Sequence, residues 1–135
     1  MEIVVVDGQG GGIGKSVIEA IRLALPDVFI IAVGTNAVAT SNMLKAGANV
    51  GATGENAVIY NVNNADIVIG PIGIAFANSM YGEISPKMAL TISSCDAHKL
   101  LIPVSKCPVT IVGMENKNIQ EYIELCIQDI LGIIK

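Results

Sequence analysis

The amino-acid sequence predicts a three-layer α/β fold built on an open, mostly parallel sheet. Short runs of β-branched residues alternate with segments whose apolar residues recur every three or four positions, a pattern typical of parallel strands joined by helices. Of the 135 residues, 52% are hydrophobic but only 4% are aromatic, so aliphatic side chains must fill the core, as in strands buried on both faces. We expect a single domain over residues 1–135.

The first two predicted strands flank an amphipathic helix. Residues 3–6 are continuously apolar and end at Asp7, and residues 28–33 form a similar run. Pro26 ends the helix between them, because proline cannot continue the helical hydrogen-bond ladder. Apolar residues recur at every fourth position on one face of this helix: Ile13, Val17, Ile21 and Leu25.

A second, alanine-rich helix is predicted at residues 37–46. Thr35 or Asn36 would be its N-cap, since a side-chain oxygen there accepts a free backbone N–H, and Gly47 would be its C-cap. The next stretch is less regular. Its apolar residues fit either a helix or a strand, and we favour a helix from about Gly54.

The second half of the chain repeats the alternation. Residues 67–69 read as a buried strand, and Ser85 and Pro86 are the types preferred at the N-cap and the first position of a helix. Further strands are expected at residues 100–104 and 109–112, the second at a sheet edge because the prolines before it cannot donate to a ladder. In the last helix Asn118 and Glu121 have capping-box spacing, and one face carries Ile119, Ile123, Ile127 and Leu131.

Charge and cysteine content exclude several functions. A net charge of −4 with a single arginine, Arg22, leaves no basic surface for nucleic acid or for an anionic membrane. The longest apolar run, residues 28–33, is far shorter than the ~20 residues that span a bilayer. The lone His98 and three cysteines without a CxxC argue against a metal or disulfide framework and for a reducing compartment: Cys95, Cys107 and Cys126.

A glycine cluster follows the first strand, with five of the 14 glycines within seven positions. Glycine lets a bound anion approach the backbone, and the helix that begins near Gly12 directs its free amides and positive dipole end at that anion. We therefore expect a phosphate or carboxylate ligand here; the alternative is a tight turn without a ligand. The expected contact residues are Gly8, Gln9, Gly10, Gly11, Gly12, Ile13 and Gly14.

A second wall is expected from the loop after residues 67–69. That strand should lie beside the first, at the topological switch point where α/β sheets bind ligands. The loop would contribute Gly70, Asn78 and Ser79, and Asn36 would add a third wall, unless the loop is only a surface lid and Asn36 only a cap. Asp7 would repel a phosphate, so we expect it to accept amides of the loop or a ligand hydroxyl.

Two nucleotide-binding families share parts of the glycine cluster. The spacing of Gly8, Gly12 and Gly14 resembles that of short-chain dehydrogenases, which implies NAD(P), but Tyr81 is followed four residues later by Ser85 rather than by the catalytic lysine. The run from Gly14 through Ser16 is similar to the end of a P-loop, which implies ATP, although Gln9 stands where that loop begins with glycine. A nucleotide, NAD(P) or ATP, is the cofactor class that these resemblances imply.

The whole chain resembles a third family. The runs DGQGGGIGK, GTNAVATSNMLKAGANVGATGENA and GPIGIAFANSMYGEISPKMA are similar to those of an uncharacterised domain-of-unknown-function family of short bacterial Rossmann-like proteins. The resemblance covers nearly all of the chain. It implies a stand-alone, cytoplasmic domain and brings no activity.

Three functions remain open. The chain would be a small-molecule binding module that forms a homo-oligomer, a small nucleotide-dependent enzyme using Glu83, Ser79 or Lys15, or a structural subunit in which the glycines serve packing. We favour the binding module. Ligand binding by the glycine cluster separates the first two from the third.

Overall fold

The computed structural model describes residues 1–104 and 109–134. Five strands in these residues form the sheet: β1 (Glu2–Asp7), β2 (Phe29–Gly34), β3 (Val50–Thr53), β4 (Ile67–Pro71) and β5 (His98–Ile102). They lie in the order β3-β2-β1-β4-β5, and every neighbouring pair is parallel. The predicted α/β fold with a parallel sheet is confirmed.

Helices cover both faces of the sheet and give the fold its three layers. They are α1 (Gly12–Ala24), α2 (Ala37–Ala46), α3 (Glu55–Asn63), α4 (Pro86–Ser94) and α5 (Ile119–Ile134), with a short 3₁₀ helix at Ile72–Ala75. Alternate residues of β1 enter two separate cores. Ile3 and Val5 pack with α1, α2 and α5, whereas Val4 and Val6 pack with α3 and α4.

The strand order creates a crevice at the carboxyl ends of β1 and β4. From β1 the chain first builds the sheet outward through β2 and β3, and then returns to add β4 and β5 on the other side. The loops after β1 and β4 therefore diverge at the topological switch point, where open α/β sheets bind ligands. The backbone N–H of Thr35, just after β2, donates to the Asp7 carbonyl at 3.0 Å and draws the β2 loop toward the same edge.

The helix caps are those that the sequence predicts. The Asn36 side chain accepts from the Ala39 amide at 2.9 Å, and α2 ends at Gly47 with a φ of 125°. Ser85 caps α4, with Pro86 at its first position. Asn118 and Glu121 exchange side-chain to backbone hydrogen bonds of 2.9 and 3.2 Å at the start of α5.

Some predicted elements were wrong. Residues 109–112 contain no strand, and Val112 is 94% exposed, because this apolar run packs on neither core. The strand predicted at residues 100–104 is β5, which begins two residues earlier and ends before Pro103, since proline has no N–H for the ladder. Pro108, on which the predicted edge position of the strand at residues 109–112 depends, and Cys107 lie outside the described residues.

Two further differences concern the sheet edge and the last helix. The edge strand β3 was not predicted, because its four residues are mostly exposed and include Gly51, where a Cβ would lie 2.8 Å from the Thr40 side chain. On the predicted face of α5, Ile123 is buried and Ile119 and Ile127 pack partly buried on the core, but Leu131 is 37% exposed. The other buried residues of this helix are Tyr122, Cys126 and Ile130. No helix in residues 1–104 and 109–134 is long and apolar enough to cross a membrane.

Candidate anion-binding site

The glycine cluster, residues 8–14, forms a tight loop between β1 and α1. The Gly11 amide donates to the Gly8 carbonyl at 2.9 Å, and the Lys15 amide donates to the Gly11 carbonyl at 2.8 Å. Gln9 and Gly11 have left-handed φ angles of 50° and 71°. Gly11 is the N-cap of α1 and has no side chain to offer, so its role is conformational.

Three glycines of the loop serve close packing: Gly8, Gly11 and Gly14. A Cβ at Gly11 would lie 2.9 Å from the Ala39 backbone, and one at Gly14 would lie 2.5 Å from the Met43 sulfur. A Cβ at Gly8 would lie 2.7 Å from the Thr35 hydroxyl. The loop is therefore packed closely against α2 and against Thr35, which follows β2. These three positions require glycine because a side chain would not fit.

Gly10 and Gly12 are different, because open space lies where their Cβ atoms would stand. Both residues are exposed, and neither amide donates a hydrogen bond to another described residue. Ile13 is half-buried and packs against the core on the side of the sheet that α1 covers, and Lys15 is exposed. The solvent-facing part of the loop is thus Gly10 and Gly12, with free amides at the start of α1.

The buried carboxylate of Asp7 holds the loop in place through hydrogen bonds to its amides. Asp7 is 4% exposed, and its carboxylate accepts from the amides of Gly8 and Gly14, both at 2.7 Å. Burial raises the pKa of Asp7, and the two amide hydrogen bonds oppose that shift only in part. The expectation that Asp7 accepts loop amides is confirmed. The neighbouring carboxylate of Glu83 adds to the rise in the pKa of Asp7, and the free amides of the loop lie at Gly10 and Gly12.

A carboxylate from another loop sits on the glycine cluster. Glu83 Oε1 accepts from the Gln9 amide at 2.8 Å, from the Thr35 hydroxyl at 2.5 Å and from Asn36 Nδ2 at 3.0 Å. Burial acts to raise the pKa of Glu83, but these hydrogen bonds outweigh it and hold the pKa below its ordinary value. Three donors from the β1 and β2 loops thus converge on one anionic oxygen.

Glu83 belongs to residues 76–85, which we name the lid segment. Its backbone is left-handed at four positions, with φ angles between 57° and 87°: Asn78, Met80, Tyr81 and Gly82. The Asn78 amide donates to the Ile84 carbonyl at 2.7 Å, and Ile84 is fully buried. Tyr81 is 92% exposed. The segment is anchored at its end by Ile84 and rises into solvent at Tyr81.

The structure brings only some of the predicted contact residues together. Gln9 and Asn36 meet at Glu83, and Asn36 Nδ2 also donates to the Gln9 carbonyl at 2.9 Å. Ser79 is buried and donates to the Gly73 carbonyl, and a Cβ at Gly70 would collide with the Val6 carbonyl oxygen. The Asn78 side chain is exposed and makes no hydrogen bond to another described residue. Ligand contact by these residues stays a prediction.

Sequence reasoning missed two residues of this cluster. The sequence offers Thr35 only as a helix cap, and Glu83 only as a polar residue of the loop after β4 and a candidate acid or base. Thr35 directly follows β2 as Gly8 follows β1, so the meeting of parallel strand ends at one sheet edge was a usable signal. No comparable signal pointed to Glu83, because its position depends on the path of the lid segment.

The two cysteines among the described residues, Cys95 and Cys126, show no sign of nucleophilic chemistry. Burial and the nearby Asp129 raise the pKa of Cys126 to about 12, so its thiol stays protonated at neutral pH. Cys95 is buried and free. Across residues 1–104 and 109–134, no group of three or more His, Cys, Asp or Glu side chains is arranged to hold a metal ion.

Comparisons with known proteins give a family without an assigned activity. Residues 2–135 match the model of the family described as Domain of unknown function (DUF3842). The chain is also similar to a solved structure, a dodecameric FMN-dependent Ubix-like decarboxylase from Escherichia coli O157:H7, at 13% identity and a TM-score of 0.46. That similarity covers 99% of this chain and 94% of the other. No curated protein sequence matches the chain.

Proposed function

We propose that this chain, which belongs to the DUF3842 family, is a binding module for a small phosphate-containing ligand, held at the glycine cluster on the carboxyl edge of the sheet. Nucleotides such as ATP or NAD(P) are the first candidates. The proposal extends to a homo-oligomeric, cytoplasmic protein that folds as a single domain.

One observation carries the proposal: the Gln9 amide, the Thr35 hydroxyl and the Asn36 side-chain amide all point at one carboxylate oxygen. Each of these groups donates, and no cationic side chain in residues 1–104 and 109–134 takes part. Such a set favours an oxyanion because hydrogen bonds to an ionised acceptor are roughly twice as strong as neutral ones. A phosphate oxygen has the same acceptor character as the carboxylate oxygen of Glu83.

The surroundings support a ligand larger than a single anion. The donors lie at the carboxyl ends of β1 and β2, next to the switch point between β1 and β4, and the free amides of Gly10 and Gly12 are in the same loop as Gln9. The phosphate would lie on the outer side of the loop, away from the buried carboxyl group of Asp7. The rest of the ligand would extend along the crevice toward the lid segment.

Homo-oligomerisation is supported by large apolar side chains that the fold leaves exposed. Leu23 is 87% exposed, Leu90 is 66% exposed and Val38 is 62% exposed, on three different helices. With only 15% charged residues in the chain, such faces favour contact with another copy.

A thermal-shift screen with ATP, GTP, NAD, NADP and sugar phosphates tests the proposed function. A ligand at 100 times its dissociation constant should add about 2.7 kcal/mol to the free energy of unfolding. Gly12→Val should then weaken binding at least tenfold, or ~1.4 kcal/mol, because a branched side chain fills the open space at Gly12.

The matched control is Gly132→Ala in α5, where a Cβ also meets open space but far along the chain from the loop. It should bind as the wild type does. Gly12 has no left-handed φ, so Gly12→Val should fold. A folded Gly12→Val protein with the wild-type thermal shift would place the ligand elsewhere and leave the glycine cluster as a packing device.

A further inference from the structure

Three donors beside the glycine cluster are already occupied by the chain itself, whereas the amides of Gly10 and Gly12 stay free. Glu83 Oε1 takes all three hydrogen bonds, from Gln9, Thr35 and Asn36. The lid segment also leaves no space beside Gly8, since a Cβ there would lie 2.7 Å from the Met80 sulfur and 2.9 Å from Glu83 Oε1. An external phosphate cannot reach these donors while Glu83 remains in place.

We infer that Glu83 is an internal competitor of the ligand: its carboxylate occupies the place of the ligand's anionic group, and the lid segment must lift before that group can bind. This inference rests on the proposed function and adds its regulation. It also restricts the ligand. Because every group at the site donates, the displacing group must accept, as a phosphate or carboxylate does and an ammonium does not.

Only the tip of the lid segment is free of the core, because Met80 next to it packs against the core and Ser79 is buried. The tip contributes little buried area, since Tyr81 is 92% exposed and Gly82 is also exposed. Left-handed residues such as Met80 and Tyr81 carry backbone strain that opening would release. Ile84 and the Ser85 hydroxyl, which donates to Glu55 at 2.5 Å, hold the end of the segment and provide a fixed point for the motion.

A closed lid weakens apparent affinity, because only the open fraction of molecules can bind. Glu83→Gln removes the charge and keeps the shape, so it should shift the population toward the open form. With inorganic phosphate as the probe, calorimetric titration should give a dissociation constant about tenfold lower for Glu83→Gln than for wild type. Glu124→Gln, the same charge change on an exposed position of α5, should bind phosphate as wild type does.

Amide hydrogen exchange provides a readout that needs no ligand. The Gln9 amide donates to Glu83 and should be protected in wild type and in Glu124→Gln, but should exchange faster in Glu83→Gln. Equal protection of this amide in wild type and Glu83→Gln would overturn the inference, because the carboxylate would then not be what closes the site.

The binding outcomes separate the inference from the proposed function. If phosphate binds wild type and Glu83→Gln equally, or binds Glu83→Gln more weakly, the ligand site stands and competition by Glu83 is refuted. If phosphate and the nucleotides bind to neither protein although Gln9 loses protection in Glu83→Gln, the lid contact is real, but the proposed function fails and the competition fails with it.

Discussion

Gly11 and Gly12 are neighbours in the loop but should respond to alanine in opposite ways. At Gly11 the backbone is left-handed, with a φ of 71°, and a Cβ would lie 2.9 Å from the Cα and carbonyl oxygen of Ala39. At Gly12 the φ is not left-handed and the Cβ would meet nothing within 4 Å. The two substitutions add the same atoms, so they isolate the role of each glycine.

The expected magnitudes follow from these geometries. A left-handed conformation costs an alanine about 1–2 kcal/mol, and forcing a methyl group against the backbone of α2 adds about 1–3 kcal/mol. Gly11→Ala should therefore lower the free energy of unfolding by about 2–5 kcal/mol. Gly12→Ala should change it by between zero and a gain of about 1 kcal/mol, since alanine loses less entropy than glycine on entering a helix.

Urea unfolding followed by circular dichroism measures both effects. With a slope of about 1–3 kcal/mol per molar urea, the midpoint of Gly11→Ala should fall by roughly 0.7 M or more, and that of Gly12→Ala should be unchanged or higher. A Gly11→Ala protein with the midpoint and slope of the wild type would refute the reasoning, because the loop would then need neither the left-handed residue nor its close packing on α2.

Two further predictions concern pH and assembly. Because burial raises the pKa of Asp7 above its ordinary value of 3.8, the stability linked to its protonated form is present at low pH and is lost as the pH rises through the raised pKa. Urea unfolding should therefore show wild type losing stability relative to Asp7→Asn from acidic to neutral pH, and a constant difference would contradict the shift. Light scattering at micromolar concentration should give at least two chains of 14.0 kDa each, whereas a clean monomer would remove the homo-oligomer from the proposal.

The sequence predicts the elements whose burial leaves a clear pattern. The strands β1 and β4 are covered on both faces, which requires continuous apolar runs, and α1 shows its one buried face at every fourth position. The edge strand β3 lacks such a pattern because most of it is exposed. Residues 109–112 mislead for the opposite reason: they are apolar but packed on neither core.

The candidate site was predicted in part for the same kind of reason. The position of the glycine cluster follows from strand order, because parallel strand ends meet at one edge of the sheet. The contact of Glu83 with Gln9 depends on left-handed backbone at Met80 and Tyr81, residue types that rarely adopt it, so residue type does not reveal the path of the lid segment.

An amide NMR titration of the wild-type protein with ATP, NADP and inorganic phosphate tests the central claim most directly. If the glycine cluster is the anion site, resonance shifts should concentrate at Gly10 and Gly12, where the amides are free, and at Gln9, Thr35 and Asn36, which would exchange Glu83 for the ligand. Saturable shifts confined to other parts of the chain, or no shifts with any of the three compounds, would contradict the account.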